Sequence, residues 1–519
     1  MKYFKIQNLF LSSICALIGL LLVSPLAFMI YQSSKVGYHH LKSLIFRQIT
    51  SNLLINTIEL AVLVCIFACL LGTFLAVLVN RYTIKFAKTV TTLLIVPLAI
   101  PDFVIGYAYN SIFPSISGLF GAVLVMTFNT YPLVFLPVNA AMKRSNHSLG
   151  LLARTFGFNR VQIFFKVTLP QIKAAITGGS LLVILVLLSE YGAFEILRFN
   201  TFTTEIFSEY QIGFNSAGAN ALSLILVAIA MLVLWFEYKI SRDNQRQLDN
   251  TTRFEETTKS FRISLAFYLT TIPLIVFAVG IPLYVIFYWI INNNHADAFS
   301  LPILPAFIHT IEFGVFAGVI STLLAIPVSY FAIRTKSKLS VIIDRSSFLI
   351  QSMPSLVVAL SFVYFAIRLA APLYQSSFLI VMAYSLLFFP LALVSLKGTL
   401  SQISPEYEQV AKTLGLNSVK IFLKVTLRLS MPGIISAFSL VFLSTVTELT
   451  LTLVLVPNGI NTLATSFWVF ETNNSYSQAA PFALIMVLMA TIPSLTLNKW
   501  FTKNQTKLNN ITLTTAVTA

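Results

Sequence analysis

Five carboxylates sit where a charge is costly. Glu59, Asp102, Glu190, Glu312 and Glu448 each lie within or at the edge of a long apolar stretch. Ionisable groups in such settings usually face a bundle interior or a water-filled path. Their oxygens are hard ligands suited to a highly charged cation, and they serve equally well as protonated or hydrogen-bonded contacts between helices. Both readings stand on the residues alone. Asp102 lies between Pro101 and Phe103, which predicts a break in the apolar segment around it.

The remaining reactive residues point away from enzymatic chemistry. His39, His40, His147, His295 and His309 lack metalloprotease spacing, and the adjacent pair His39-His40 reads as a solvated loop. Cys15, Cys65 and Cys69 all fall in apolar runs. Cys65 and Cys69 share a helix face, where soft-metal ligation is conceivable, but small buried hydrophobes are the simpler reading. No Gly-Lys dipeptide occurs, so there is no loop of the kind that cradles nucleotide phosphates, and the chain cannot hydrolyse ATP alone. No His, Asp and Ser constellation supports a membrane-embedded enzyme.

The elements that must position these residues follow from composition. Of the 519 residues, 57% are hydrophobic and only 10% charged, and the mean hydropathy is +0.84. A soluble domain carries about 25% charged residues, so an ordinary cytosolic enzyme is excluded, and so is disorder. A bilayer core needs roughly 20 apolar residues per helix. Twelve spans meet that requirement, near 9–31, 55–80, 89–111, 119–141, 176–196, 217–237, 263–289, 309–333, 346–367, 377–396, 434–456 and 479–498. With a cytoplasmic amino terminus, the inner segments hold all but five of the 34 Lys and Arg; Lys35, Lys42, Arg47, Arg198 and Arg368 lie outside. That bias places both termini in the cytoplasm of a multi-pass cell-membrane protein, an inner membrane if the envelope is Gram-negative. The net charge of +16 is therefore a topology signal and no sign of nucleic-acid binding, with some inner cations near anionic lipid.

The chain repeats itself. A shift of about 253–258 residues aligns Pro25 with Pro282, Thr57-Ile-Glu59 with Thr310-Ile-Glu312, and Arg81 with Arg334. It also aligns Pro101 with Pro354, Pro132 with Pro390, Thr155-Phe-Gly157 with Thr413-Leu-Gly415, Lys166-Val-Thr-Leu169 with Lys424-Val-Thr-Leu427, and Glu190 with Glu448. The first apolar run, which begins like a signal peptide, has an internal copy and so reads as a retained span. Six spans per copy give parallel repeats about an axis along the membrane normal. The domains are 1–240 and 263–519, joined by a polar cytoplasmic linker at 241–262.

Each copy carries an inner loop too long to be plain linker, 142–175 and 397–433. In the second, 406–414 reads as a helix stopped by Gly415, 418–427 as another helix, and Pro432 as a breaker; Pro170 sits in the matching region of the first. Leu152, Ala153 and Phe156, and likewise Val410, Ala411 and Leu414, form an apolar face that wants a groove. Packing of that face under its own bundle is the alternative, but two such helices suit a two-fold symmetric partner.

The stretches Ala153-Arg-Thr-Phe-Gly157…Lys166-Val-Thr-Leu-Pro170 and Glu408-Gln-Val-Ala-Lys-Thr-Leu-Gly415…Lys424-Val-Thr-Leu427 resemble the EAA loop of ABC-importer permeases. Ala153 and Ala411 match its second Ala, and Gly157 and Gly415 its Gly. Leu151 and Gln409 replace its Glu, Leu152 and Val410 its first Ala, and Arg428 stands where the first copy has Pro170. The resemblance implies an all-α type I importer permease whose loops couple to a cytoplasmic ATPase through Ala153, Arg154, Gly157, Glu408, Ala411, Lys412 and Gly415. It also implies a homodimeric ATP-binding subunit carrying the ATP and Mg, an external substrate-binding protein, and no cofactor on this chain.

Two fused halves in one chain are similar to the iron(III) type of importer. So are Glu190-Tyr-Gly-Ala-Phe-Glu-Ile-Leu-Arg-Phe-Asn-Thr-Phe-Thr-Thr204, Glu448-Leu-Thr-Leu-Thr-Leu-Val-Leu-Val-Pro-Asn-Gly459 and Thr462-Leu-Ala-Thr-Ser-Phe-Trp468. Permeases for thiamine, aminoethylphosphonate and polyamines share this architecture. The rival class is an ion-coupled secondary transporter, which explains the five carboxylates but leaves the paired loops without a purpose.

Overall fold

The computed structural model describes residues 2–34, 42, 46–81, 87–144, 147–211, 213, 215–244, 261–292, 302–335, 337–351, 353–491 and 493. Most of the linker 241–262 lies outside them, as do His39, His40 and His295. The described residues form helices and turns, with no strand among them. In hydrocarbon a backbone must satisfy its own hydrogen bonds, which a helix does within one segment.

The helix Gln48–Arg81 shows why the solvent must be lipid. Leu53, Leu60, Val64, Ala68 and Leu75 are buried on one face, yet Ile55, Ile58, Val62, Ile66 and Leu70 are exposed on the other. A helix apolar on both faces is not a water-facing helix. Each of the twelve expected spans has a counterpart. Seven are single helices: Leu11–Gln32, Gln48–Asn80, Gly118–Lys143, Val161–Ser189, Ala217–Phe236, Phe267–Ile291 and Ile303–Arg334. Four are bent pairs, and the last is the shorter apolar helix Tyr476–Thr491.

The bends follow the prolines. The third span turns by 87° between Thr89–Ala99 and Asp102–Ile112. Pro101, with ψ at 139°, caps its second piece. Pro354 does the same before Ser355–Leu369, with ψ at 146°. Proline fixes φ and lacks an N–H, so it is at home where a helix begins. The copies diverge further on: Val161–Ser189 runs on as one span, whereas Ser418–Leu429 and Met431–Val446 meet at 67°.

Two compact units form, and they do not coincide with the repeats 1–240 and 263–519. One gathers Met1–Met29, Phe299–Val469 and Pro481–Ala519. Within it Gly314 and Gly318 of the eighth span lie against Phe442 and Phe438, where an added Cβ would come within 2.9 Å of each ring. Small residues allow this closeness between membrane helices. The first span belongs here: Phe28 meets Phe365 edge-on at 6.4 Å, and Gly19 faces Ile343.

The other unit gathers Ile30–Ala298 and Phe470–Ala480. Gly72 and Gly179 both press on the backbone of 131–135 in the fourth span. The seventh span belongs to this unit, with Phe277 stacked on Phe128 at 6.0 Å. Tyr109 Oη donates to the Phe277 carbonyl at 2.7 Å, and Trp289 Nε1 donates to Ser111 Oγ at 3.0 Å. The opening span of each repeat thus packs with the core of the other. Sequence similarity between copies records shared shape and carries no information on which copy a helix packs against.

Candidate coupling loops and buried carboxylates

The loop after the fourth span and the loop after the tenth share one construction. Helices His147–Thr155 and Glu406–Thr413 end at Gly157 and Gly415, whose φ angles are +81° and +80°. The amide after each glycine reaches back to the buried alanine: Phe158 N to Ala153 O at 3.0 Å, and Leu416 N to Ala411 O at 3.2 Å. Left-handed backbone favours glycine, and an added Cβ would meet nothing within 4 Å at either site. The requirement is therefore conformational rather than steric. Ala153 and Ala411 are buried, while Leu152, Phe156, Val410 and Leu414 are exposed. Arg154 and Lys412 are exposed beside them.

The second short helix of each loop starts on an asparagine cap. Asn159 Oδ1 accepts Gln162 N at 2.8 Å, and Asn417 Oδ1 accepts Lys420 N at 2.9 Å. The uninterrupted helix expected over 418–427 is instead opened by a π turn at Phe422–Thr426, matched by Phe164–Thr168 in the first copy. One-turn π insertions of this kind recur at functional positions.

Glu408 points inward from its helix. Its Oε1 accepts Arg334 Nε at 3.1 Å and Thr426 Oγ1 at 3.0 Å, while Oε2 accepts Tyr330 Oη at 3.3 Å. Arg334 Nη2 donates to the Ile403 carbonyl at 3.0 Å. The carboxylate thus ties the loop helix to the carboxyl end of the eighth span. The repeat puts Gly150 at the matching position of the first copy, so the tie is confined to the second.

Glu190 and Glu448 occupy matching places, and both stand at helix breaks rather than inside spans. Glu190 follows the helix Leu169–Ser189 with ψ at 132°, and its Oε1 accepts Ala193 N at 2.7 Å. Glu448 follows Met431–Val446, and its Oε1 accepts Leu451 N at 3.1 Å. Thr203 and Thr452 hydroxyls donate to the two glutamate carbonyls at 2.5 Å each. Each side chain therefore caps the short helix that follows, taking up amides that a helix start leaves open. Ser355 also bonds the Glu448 carboxylate, and Tyr384 bonds Thr452. A cavity of about 10 Å³ opens there, lined by Thr310, Thr445, Thr462 and Glu448 among others. Asp102 is half-buried as the first residue of its helix, and the repeat matches it to Ser355.

Glu59 and Glu312 are exposed within their units. Glu312 Oε2 lies 3.6 Å from His309 Nδ1. Among the described residues, no three His, Cys, Asp or Glu side chains come together as a metal-holding group.

A further cluster surrounds Glu471. Glu471 is 7% exposed, and burial pushes its carboxyl up to about 7, with Glu195 adding to the rise and Arg198 opposing it. Tyr107 Oη donates to the Tyr476 carbonyl at 2.7 Å beside it. An ion pair elsewhere joins Arg47 to Glu209 at 3.6 Å, next to Glu205 and a cavity of about 20 Å³. Glu471, Arg47, Glu205 and Glu209 lie between apolar runs, where a charge carries no cost visible in the sequence, and Glu195 stands at the last residues of its run.

Comparison with known proteins adds an independent line. Residues 68–245 and 325–506 both match the family described as "Binding-protein-dependent transport system inner membrane component". The chain is 35% identical to the Fe(3+)-transport system permease protein FbpB 2 of Haemophilus influenzae over 496 residues, covering 94% of this chain and 98% of that protein. It is 29% identical to the molybdenum transport system permease protein ModB of Haemophilus influenzae, over 24% of this chain and 57% of that one. Similarity to the sulfate transport system permease protein CysT of Salmonella typhimurium is 25% over 42% of this chain and 85% of that one.

Proposed function

This chain belongs to the family of binding-protein-dependent transport system inner membrane components, and from that premise we propose that it is the two-repeat permease of an ATP-driven importer for iron(III). One observation carries the substrate. The likeness to the Fe(3+) permease runs through both repeats, over 94% of the chain, whereas the molybdenum and sulfate relatives match 42% of it or less.

The division of labour follows from the residues. A loaded binding protein docks outside and releases its cargo to the permease. A separate ATP-binding subunit, a homodimer carrying ATP and Mg, seats the exposed pairs Leu152/Phe156 and Val410/Leu414 in its clefts. These are the apolar anchors that a helix-in-groove contact needs. Closure of the ATPase pushes on both short helices. In the second copy Glu408 and Arg334 pass that push to the eighth span. Both termini lie in the cytoplasm, and inner lysines and arginines rest near anionic lipid.

The path for a trivalent cation asks for oxygen donors that hold it loosely. Glu190 and Glu448 sit at helix breaks, where backbone carbonyls and side-chain oxygens come together. They are the residues we assign to the path, with Asp102 at the break of the third span; Glu59 and Glu312 attract the cation at the surface of their helices.

The test is transport in sealed proteoliposomes containing the permease, its ATPase and its binding protein. Uptake of labelled iron(III) should need ATP and both partners. Uptake driven by a proton gradient without the ATPase would identify a secondary transporter. ATP-driven uptake of thiamine, aminoethylphosphonate or a polyamine in place of iron would overturn the substrate.

A further inference from the structure

Glu471 is the most anomalous charged residue of the described structure. It is 7% exposed, yet among the described residues no hydrogen bond or ion pair reaches its carboxylate. Burial of an ionisable group without a partner is costly. Its surroundings deepen the negative potential. The helix Leu463–Thr472 ends here, closed by Asn474 at φ +56°, with Asn474 N on the Glu471 carbonyl and Ser475 N on that of Phe470. A helix carboxyl end carries about half a negative charge, so a carboxylate is poorly placed there.

The groups in electrostatic reach of Glu471 are Glu195, Arg198, Tyr107, Tyr191 and Tyr476. Four are oxygen-bearing acids. The cation, Arg198, is exposed and forms no ion pair with it. Against two carboxyl groups the cluster offers one arginine, so a proton or a cation must neutralise the buried Glu471. The fold itself does not demand the cluster: the repeat puts Leu453 and Val456 where Glu195 and Arg198 stand.

We propose that Glu471 and Glu195, with Tyr476 beside them, form a receiving site for a hard trivalent cation in the unit built from Ile30–Ala298 and Phe470–Ala480. Carboxylate and phenol oxygens suit such a cation. Two carboxylates fall short of a closed cage, which fits cargo that must be handed on. Arg198 occupies the field of the empty site and yields when the cation arrives. The role of the site as the first station of import rests on the iron(III) reading; the binding chemistry does not.

The experiment uses full-length protein in nanodiscs of zwitterionic lipid, with Tb³⁺ as probe. The Trp289 ring lies 5.5 Å from that of Tyr476 and the Tyr107 ring 5.9 Å, so bound Tb³⁺ should emit on aromatic excitation. Wild type should show saturable emission displaced by Ga³⁺. Glu471→Gln should weaken binding tenfold or more, and Glu195→Gln, at an exposed position that folding tolerates, at least threefold. Arg198→Gln should tighten it, and Glu209→Gln in the Arg47 ion pair should leave it unchanged. Wild-type titrations from both Glu471→Gln and Glu195→Gln would overturn the site. Iron(III) uptake separates the two claims. If Tb³⁺ binds as described but wild type imports no iron, the substrate reading fails and the site stands. If Glu471→Gln loses Tb³⁺ yet imports iron normally, the site is not on the route.

Discussion

Removal of the Glu408 carboxylate should loosen one coupling helix and leave the other untouched. Glu408→Ala deprives Arg334, Thr426 and Tyr330 of their acceptor at 3.1, 3.0 and 3.3 Å. An exposed ion pair is worth up to about 1 kcal/mol, and stripping one partner from a buried pair costs about 3–5 kcal/mol. The Arg334 and Glu408 side chains are 14% and 17% exposed, which puts the loss between those limits, at about 2–3 kcal/mol. The Thr426 hydroxyl, on a residue 1% exposed, is left seeking a partner in place of water. At about 1.4 kcal/mol per factor of ten, local opening should rise roughly 30–150-fold.

Hydrogen exchange at Leu414, Gly415 and Leu416, whose amides bond back into the helix, reads this directly. Arg334→Ala should produce a similar rise, and the double variant little more, because one network is being cut. Glu408→Gln should lie between, since an amide oxygen in place of Oε1 still accepts from Thr426 and Arg334 while the charge and the acceptor for Tyr330 are lost. ATPase stimulation by substrate should fall in the same order. The reasoning fails if exchange at these amides rises less than threefold in Glu408→Ala. It also fails if 147–158 loosens equally, which would mark a global effect.

Neighbouring glycines should answer oppositely to alanine. Gly179→Ala forces a Cβ to 2.8 Å from Val134 Cα and should cost about 1–3 kcal/mol, whereas Gly178, with open space around its Cβ, should gain up to about 1 kcal/mol of helix propensity; thermal unfolding in detergent distinguishes them. Gly415→Ala, strained only through its φ of +80°, should weaken ATPase association by the equivalent of about 1–2 kcal/mol, with membrane insertion intact. Glu190→Gln and Glu448→Gln keep an oxygen for Ala193 N and Leu451 N, so assembly should survive while iron(III) flux falls, and the double variant should lose more than either; normal flux in all three would make these carboxylates structural caps alone. Reporters fused after Thr251 and at the carboxyl terminus should read cytoplasmic, and one at Asn293 external; any reversal removes the parallel-repeat topology.

Much of the architecture could be read from periodicity and self-similarity. Twelve apolar runs found twelve helical counterparts, because burial of backbone in lipid leaves a chain few options. Gly157 and Gly415 were visible as stops because left-handed caps select glycine. The inward turn of Glu408 was not. Its partners Arg334 and Tyr330 lie 74 and 78 residues away, and nothing local tells a solvated glutamate from an anchored one. Glu190 and Glu448 were found through the repeat, but their placement at helix breaks, with carboxylates turned back onto amides of the next short helix, depends on backbone geometry that apolar periodicity smooths over. Glu471 lies between apolar runs, where the sequence gives no sign that a charge will be buried.

The sharing of opening spans between repeats governs how this chain is made. The helix ending near Met29 is synthesised about 270 residues before Phe299, where the rest of its compact unit begins. At about 5–20 residues per second it waits roughly 15–55 seconds for those partners. Through that interval it is an orphan, held by the insertion machinery or by lipid alone. The first half cannot finish its own core either, since the seventh span is still unmade. Commitment to structure is therefore postponed until the second half is in the membrane. A gene cut at the linker would yield two products, each lacking one helix of its own bundle and each holding the helix that the other needs.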